Sequence, residues 1–365
     1  SHQPPATSHQ PPATSHQPNA CSSRVGGLMS ELRWTTIDSP GRRPALFDAV
    51  VERKVGRGAY RGLEFLLVES RSVINRVPNP GVLPFTHTVN AYRGCSHACT
   101  YCFARPTHDY LGLDIASDFD TKIVVKINAP EVVRHETAPG RWAAHPIAMG
   151  TNTDPYQQAE GKFKLTRGIV EVLAERRNPF SILTKSPLVL RDLNVLADAA
   201  RVTDVTVDFS IGTLDPDVWT RSEPGTPHPR KRLDAVRRLN ERGIPSGVMM
   251  APIIPGLSDR PEQIEAVVKG AAEAGARFIT GSYLHLRGPL KDHYLRWVEQ
   301  EYPYLTRHYR NLYGDRSYAP AAMRKRLGGW IGHFVAKHGG PVRERGRGRA
   351  RSAAPGSDEQ LALPL

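Results

Sequence analysis

Between residues 86 and 286, apolar β-branched runs alternate with amphipathic helical stretches, and this alternation restricts the possible folds more than any other feature. The runs are THTVNAY (86–92), KIVVKIN (122–128), HPIAMGTN (145–152), FSILTKS (180–186), DVTVDFSI (204–211), PSGVMMAPII (245–254) and RFITGSYLHL (277–286). Helical periodicity fills the gaps at LTRGIVEVLAERR (165–177), PLVLRDLNVLADAA (187–200), RKRLDAVRRLNERG (230–243) and PEQIEAVVKGAAEAG (261–275). Strand and helix on short connections predict an α/β fold, a parallel sheet with covering helices. About 200 residues of such units suffice for a full or partial barrel. The stripe Ile264, Val267, Val268 and Ala271 has helical spacing and reads as core packing. Residues 29–84 read as a lead-in segment, 85–290 as the barrel and 291–338 as a helical cap.

Both ends differ from this body. SHQPPAT occurs at 1–7 and 8–14, with SHQPNA following at 15–20. Such Pro, Gln, Ser and His density buries too little apolar surface to offset ordering entropy, so 1–28 is expected to be a disordered extension. Met29 is the expected natural start, and Cys21 is a poor candidate ligand. Residues 339–365 read as a disordered basic tail, whose stretch 341–351 holds five Arg and one Glu. That stretch carries +4 of a net 49 − 36 = +13, so the body is basic too. A solvated tail is the simpler reading and a nonspecific nucleic-acid contact the functional one. No apolar run approaches the roughly 18–20 residues that span a bilayer, and no secretory signal is visible. A cytoplasmic protein is expected.

Three of the four cysteines crowd into AYRGCSHACTYCFARP as Cys95, Cys99 and Cys102, a C-x3-C-x2-C spacing directly after a predicted strand. In a β/α barrel that is the face where chemistry is done. Three soft thiolates without a fourth suit an iron–sulfur cluster with one iron open. A structural zinc site wants four closed ligands, which His97 or His108 could complete. A noncatalytic, zinc-stabilised nucleic-acid adaptor is therefore the alternative.

The triad, with Tyr101 just before its third cysteine, resembles the radical S-adenosylmethionine (SAM) superfamily. The resemblance implies a partial TIM-type (β/α)6 barrel, a 4Fe–4S cluster held by Cys95, Cys99 and Cys102, and SAM chelated at the open iron. An electron passed to the sulfonium then yields a 5′-deoxyadenosyl radical. It further implies an electron donor such as flavodoxin or ferredoxin. TNTDPYQQAE (151–160), LTKSPLVLRD (183–192), SIGTLDPDVWTRSEPGTPHPRKRL (210–233) and GVMMAPIIPGLSD (247–259) resemble the spore photoproduct lyase-like, or DNA-repair-photolyase-like, branch. By that resemblance Lys185 meets the SAM carboxylate or a ribose hydroxyl, Ser210 donates beside it, and Asp154 takes the SAM amino group. Tyr101 is assigned to the cofactor site and, with Tyr156, is a candidate hydrogen-atom donor. Glu223 and Arg232 frame EPGT…RL and are expected to pair and order that loop.

One departure matters. The lyase carries a hydrogen-donor cysteine on the strand before its equivalent of Asp154, and 145–154 here has none. Reversal of a thymine photoproduct is therefore not assumed. DNA repair or base modification is the leading reading, with RNA, a peptide or a small metabolite as the alternative substrate. The terminal QLALPL resembles the hexapeptide that binds the bacterial sliding clamp. There Gln360 would bond at the pocket rim while Leu361, Leu363 and Leu365 fill apolar pockets.

Overall fold

Six of the seven apolar runs supply parallel neighbours in one sheet. The structure, a computed structural model, describes residues 50–341 apart from Asn79 and Val82. The expectations for 1–28, for the basic stretch beyond 341 and for Gln360, Leu361, Leu363 and Leu365 lie outside the described residues. In chain order the strands are β1 (Glu52–Val55), β2 (Glu64–Val68), β3 (Ile74–Arg76), β4 (His87–Val89), β5 (Tyr92–Arg93), β6 (Lys122–Lys126), β7 (Ile147–Met149), β8 (Phe180–Thr184), β9 (Val205–Ser210), β10 (Val248–Ile253) and β11 (Ile279–Tyr283). The larger sheet has the order β11-β10-β9-β8-β7-β4-β3. Its strands from β4 to β11 pair in parallel, and only β3 is antiparallel to its neighbour β4. The result is the expected partial barrel of six β/α strands, with β3 added at one edge.

One strand went elsewhere. KIVVKIN, expected in the barrel, supplies β6 to a second sheet of order β1-β2-β6-β5, parallel to β2 and antiparallel to β5. Ile123 and Val125 face the main core, while Val124 packs with Leu66, Val68, Leu111 and Leu113. A strand buried on both faces reads the same in either sheet, so its apolar run could not name its neighbours. THTVNAY also divides. After β4, Asn90 turns its side chain to accept from Asn152 N at 3.2 Å, and Tyr92 opens β5.

The helices are α1 (Ser117–Thr121), α2 (Ala129–Glu136), α3 (Gln158–Phe163), α4 (Leu165–Glu175), α5 (Leu193–Ala200), α6 (Pro216–Ser222), α7 (Pro229–Glu241), α8 (Pro261–Glu273), α9 (Pro289–Glu301), α10 (Thr306–Tyr313) and α11 (Ala321–Lys337). Proline opens α6, α7, α8 and α9, where its missing N–H leaves no intrahelical bond unmade. The stretch expected as one helix over 187–200 is a 3₁₀ turn, Pro187–Asp192, followed by α5. On α8, Ile264, Val267, Val268 and Ala271 are fully buried, as their spacing predicts. Each branched side chain among them contributes roughly 1.5–3 kcal/mol.

The C-terminal helices dock over the strand ends. Tyr309 donates to Pro255 O at 2.7 Å just past β10, and Tyr313 donates to Leu284 O at 2.6 Å just past β11. Both rings share an apolar cluster with Tyr294, Cys99 and Tyr101, so α9 and α10 pack against the cysteine loop. Among the described residues no helix is long and apolar enough to cross a membrane.

Candidate active site

The candidate residues in the described range end or follow β5, β7, β8 and β9, and hydrogen bonds bring them together. Cys95, Cys99 and Cys102 lie between β5 and the 3₁₀ helix Arg105–Leu111, and Asp154 lies in the loop after β7. Lys185 directly follows β8, and Ser210 ends β9. The chain leaves β5 through Gly94 at φ +76°. A Cβ there would stand 2.9 Å from Phe119 O and from the His108 ring, so only glycine fits. Ala98, at φ +53°, holds the left-handed turn between the first two cysteines, and its N–H donates to Cys95 O at 3.2 Å. A non-glycine residue in that region costs about 1 kcal/mol or more, so the surrounding contacts must hold the loop in shape.

They do so from two sides. From the β7 side, Gln157 accepts from Ser96 N at 3.0 Å and donates to Gly94 O at 2.9 Å, and Thr153 donates to Gly94 O at 2.6 Å. Asp154 pairs with His97 Nδ1 at 3.2 Å and accepts from Thr184 Oγ1, Lys185 N and Tyr156 N at 2.7–2.8 Å. Burial pushes this carboxyl up, but the His97 pair and the Thr184 and Lys185 donors outweigh it and hold it below the usual carboxylate range. From the β9 side, Thr100 N donates to Ser222 O and Gly225 N to His97 O, each at 3.0 Å. At Gly225 a Cβ would lie 2.1 Å from Ser96 O, so the two segments touch backbone to backbone.

Above this clamp sits a buried charge network. Glu223 Oε2 pairs with Arg232 Nη2 at 2.5 Å, and Tyr101 donates its hydroxyl to Glu223 Oε1. Lys185 Nζ stands 3.7 Å from Glu223 Oε1 and donates to Ser210 Oγ at 2.5 Å. Burial raises the Glu223 carboxyl, yet Arg232, Lys185 and the Tyr101 hydrogen bond overcome it and bring it down to about 2. The Glu223–Arg232 pair thus forms as expected. Lys185 and Ser210, twenty-five positions apart in the chain, are brought together.

Three comparisons bear on this arrangement. A protein-family model described as the radical SAM superfamily matches residues 89–270. An uncharacterized protein of Mycobacterium tuberculosis is 42% identical over 298 residues, covering 82% of this chain and 88% of that protein. An uncharacterized protein of Methanocaldococcus jannaschii is 31% identical over 242 residues, covering 66% and 85%. The chain belongs to the radical SAM superfamily. Its fold is similar to that of spore photoproduct lyase complexed with dinucleoside spore photoproduct, at TM-score 0.52 and 18% identity over 75% of this chain and 79% of that one. A mutant of the same lyase gives TM-score 0.54 at 19% identity, with the same coverage.

This radical SAM enzyme belongs to a superfamily whose cofactors are SAM and a 4Fe–4S cluster, and its donor set fits the cluster. Burial raises all three thiols above the ordinary cysteine range, most strongly at Cys95 and Cys99. Such thiols are deprotonated by a bound metal centre and are otherwise inert. His97 turns Nδ1 to Asp154, and His108 turns Nε2 to Lys122 O while its Nδ1 meets no partner. Among the described residues no group of three or more His, Cys, Asp or Glu side chains could hold a single metal ion.

Asp154, expected at the SAM amino group, accepts here from four partners of its own chain, His97, Thr184, Lys185 and Tyr156. Tyr101 directs its hydroxyl to Glu223, and Tyr156, 1% exposed, bonds to Asp192 at 3.2 Å. Residues missed in the sequence are Gln157 and Thr153, whose only signal was membership of TNTDPYQQAE; His97, considered there only as a zinc ligand, pairs with Asp154.

Proposed function

We propose that the enzyme cleaves SAM reductively and acts on DNA, in repair or base modification. The observation that carries the reading is the convergence of Cys95, Cys99 and Cys102 on one preshaped loop, with Lys185 and Ser210 joined across the same strand ends. Cys95, Cys99 and Cys102 would hold the cluster, whose open iron supplies the electron that splits SAM. Lys185, fixed by Ser210 and Glu223, presents an ammonium suited to the SAM carboxylate or a ribose hydroxyl. Ser210 itself donates to Ala251 O at 2.7 Å, which orients its lone pairs toward Lys185. Tyr101 and the aromatic cap exclude water from this side of the loop. Support for DNA comes from the +13 net charge and from the fold shared with a lyase whose ligand is a dinucleoside photoproduct.

The test is anaerobic. Reconstituted enzyme with dithionite and SAM is expected to release 5′-deoxyadenosine, and damaged or modified DNA is expected to raise its yield. Stimulation by RNA or peptide instead would move the substrate elsewhere.

Gln360, Leu361, Leu363 and Leu365 fit a sliding-clamp peptide that would bring the enzyme to replicating DNA. Deleting residues 356–365 is expected to abolish clamp binding. Unchanged affinity would remove this partner.

A further inference from the structure

We propose that Lys185, Glu223 and Arg232 form a charge triad that sets the reduction potential of the iron–sulfur cluster, in addition to the part Lys185 plays in binding SAM. The inference rests on the cluster assignment above. Glu223 is 4% exposed and Arg232 is fully buried, and the Lys185 side chain is 13% exposed. One carboxylate thus faces two cations, at 2.5 Å and 3.7 Å, and the group holds one unbalanced positive charge out of water. Another buried cation, Arg105, is neutralised by a forked contact to Asp120 at 2.8 and 2.9 Å.

The triad is joined directly to the cysteine loop. Tyr101, flanked by Cys99 and Cys102, donates to Glu223, and Lys185 Nζ lies 5.7 Å over the Tyr101 ring. Reduction brings one electron into the cluster from an external reductant and adds one negative charge. Net charge and solvent access are what set such potentials, and charges act more strongly across a buried site than across water. A residual charge of +1 therefore favours the reduced cluster, while Glu223 keeps that preference from being larger.

The signs are separable by substitution. The midpoint potential of the cluster-loaded full chain, without SAM, is measured by redox titration followed by electron paramagnetic resonance. Glu223→Gln keeps the shape and removes the negative charge, so the potential is expected to rise. Lys185→Met removes a positive charge, so it is expected to fall. Arg232→Lys conserves charge while losing the fork, and is expected to leave the potential in place. Shifts of the same sign in all three would mean that loosened packing lets in water, and would overturn the proposal. So would no shift in Glu223→Gln and Lys185→Met. If Glu223→Gln does not fold, the fall in Lys185→Met decides alone, and its absence overturns the triad. A wild-type chain that takes up no cluster would instead remove the cluster assignment itself.

Discussion

Alanine at any one of Cys95, Cys99 and Cys102 is expected to leave the reconstituted protein without the visible absorption of an iron–sulfur cluster and without detectable 5′-deoxyadenosine. Two thiolates cannot hold a cubane that needs three protein ligands. The same variants are expected to stay folded. Each loses one small side chain, buried at Cys95 and Cys99 and half-buried at Cys102, about 1 kcal/mol of burial or less, while the bonds that shape the loop run through its backbone and through Gln157, Thr153 and Asp154. Cluster absorption and thermal midpoint measured together make the claim specific. Turnover retained in any of the three variants would refute it.

Asp154→Ala is expected to act in the opposite way, lowering the stability of the protein before any cofactor is added. The substitution strands His97, the Thr184 hydroxyl and the backbone N–H groups of Lys185 and Tyr156. An unpaired buried polar group costs about 1–3 kcal/mol, and the losses overlap, so a total of roughly 3–5 kcal/mol is expected. In a protein of this size that lowers the thermal midpoint by several degrees. Denaturation of the cluster-free chain measures it. A cluster-free midpoint equal to wild type, with weakened SAM binding, would instead restore Asp154 to the SAM amino group.

The same residue shows where sequence reading reaches its end. Strand and helix positions were legible because their periods differ, and the α8 stripe packs as its spacing says. β6 was not, because a strand buried on both faces carries no mark of which sheet it joins. The three cysteines were legible because thiols at that spacing are rare outside metal chemistry. Asp154 was placed in its loop, but its four partners within the chain were not legible. A carboxylate after a strand looks the same whether it faces a ligand or gathers four donors from its own chain. Gln157 could not be found at all, since an uncharged amide in a loop has no signature until its partners, sixty positions earlier in the chain, are seen. The Glu223–Arg232 pair was legible as a pair, but its contact with Tyr101 depends on a crossing of segments that no local pattern records.

The clamp around the cysteine loop also has a consequence for how the enzyme persists. Small zinc domains lose their fold with their metal, because metal binding is their folding energy. Here the barrel core, the Asp154 bracket and the backbone contacts at 222–225 shape the receiving loop from protein alone. The scaffold is therefore expected to outlast oxidative loss of the cluster as a mould, so that the chain takes up a new one without being made again.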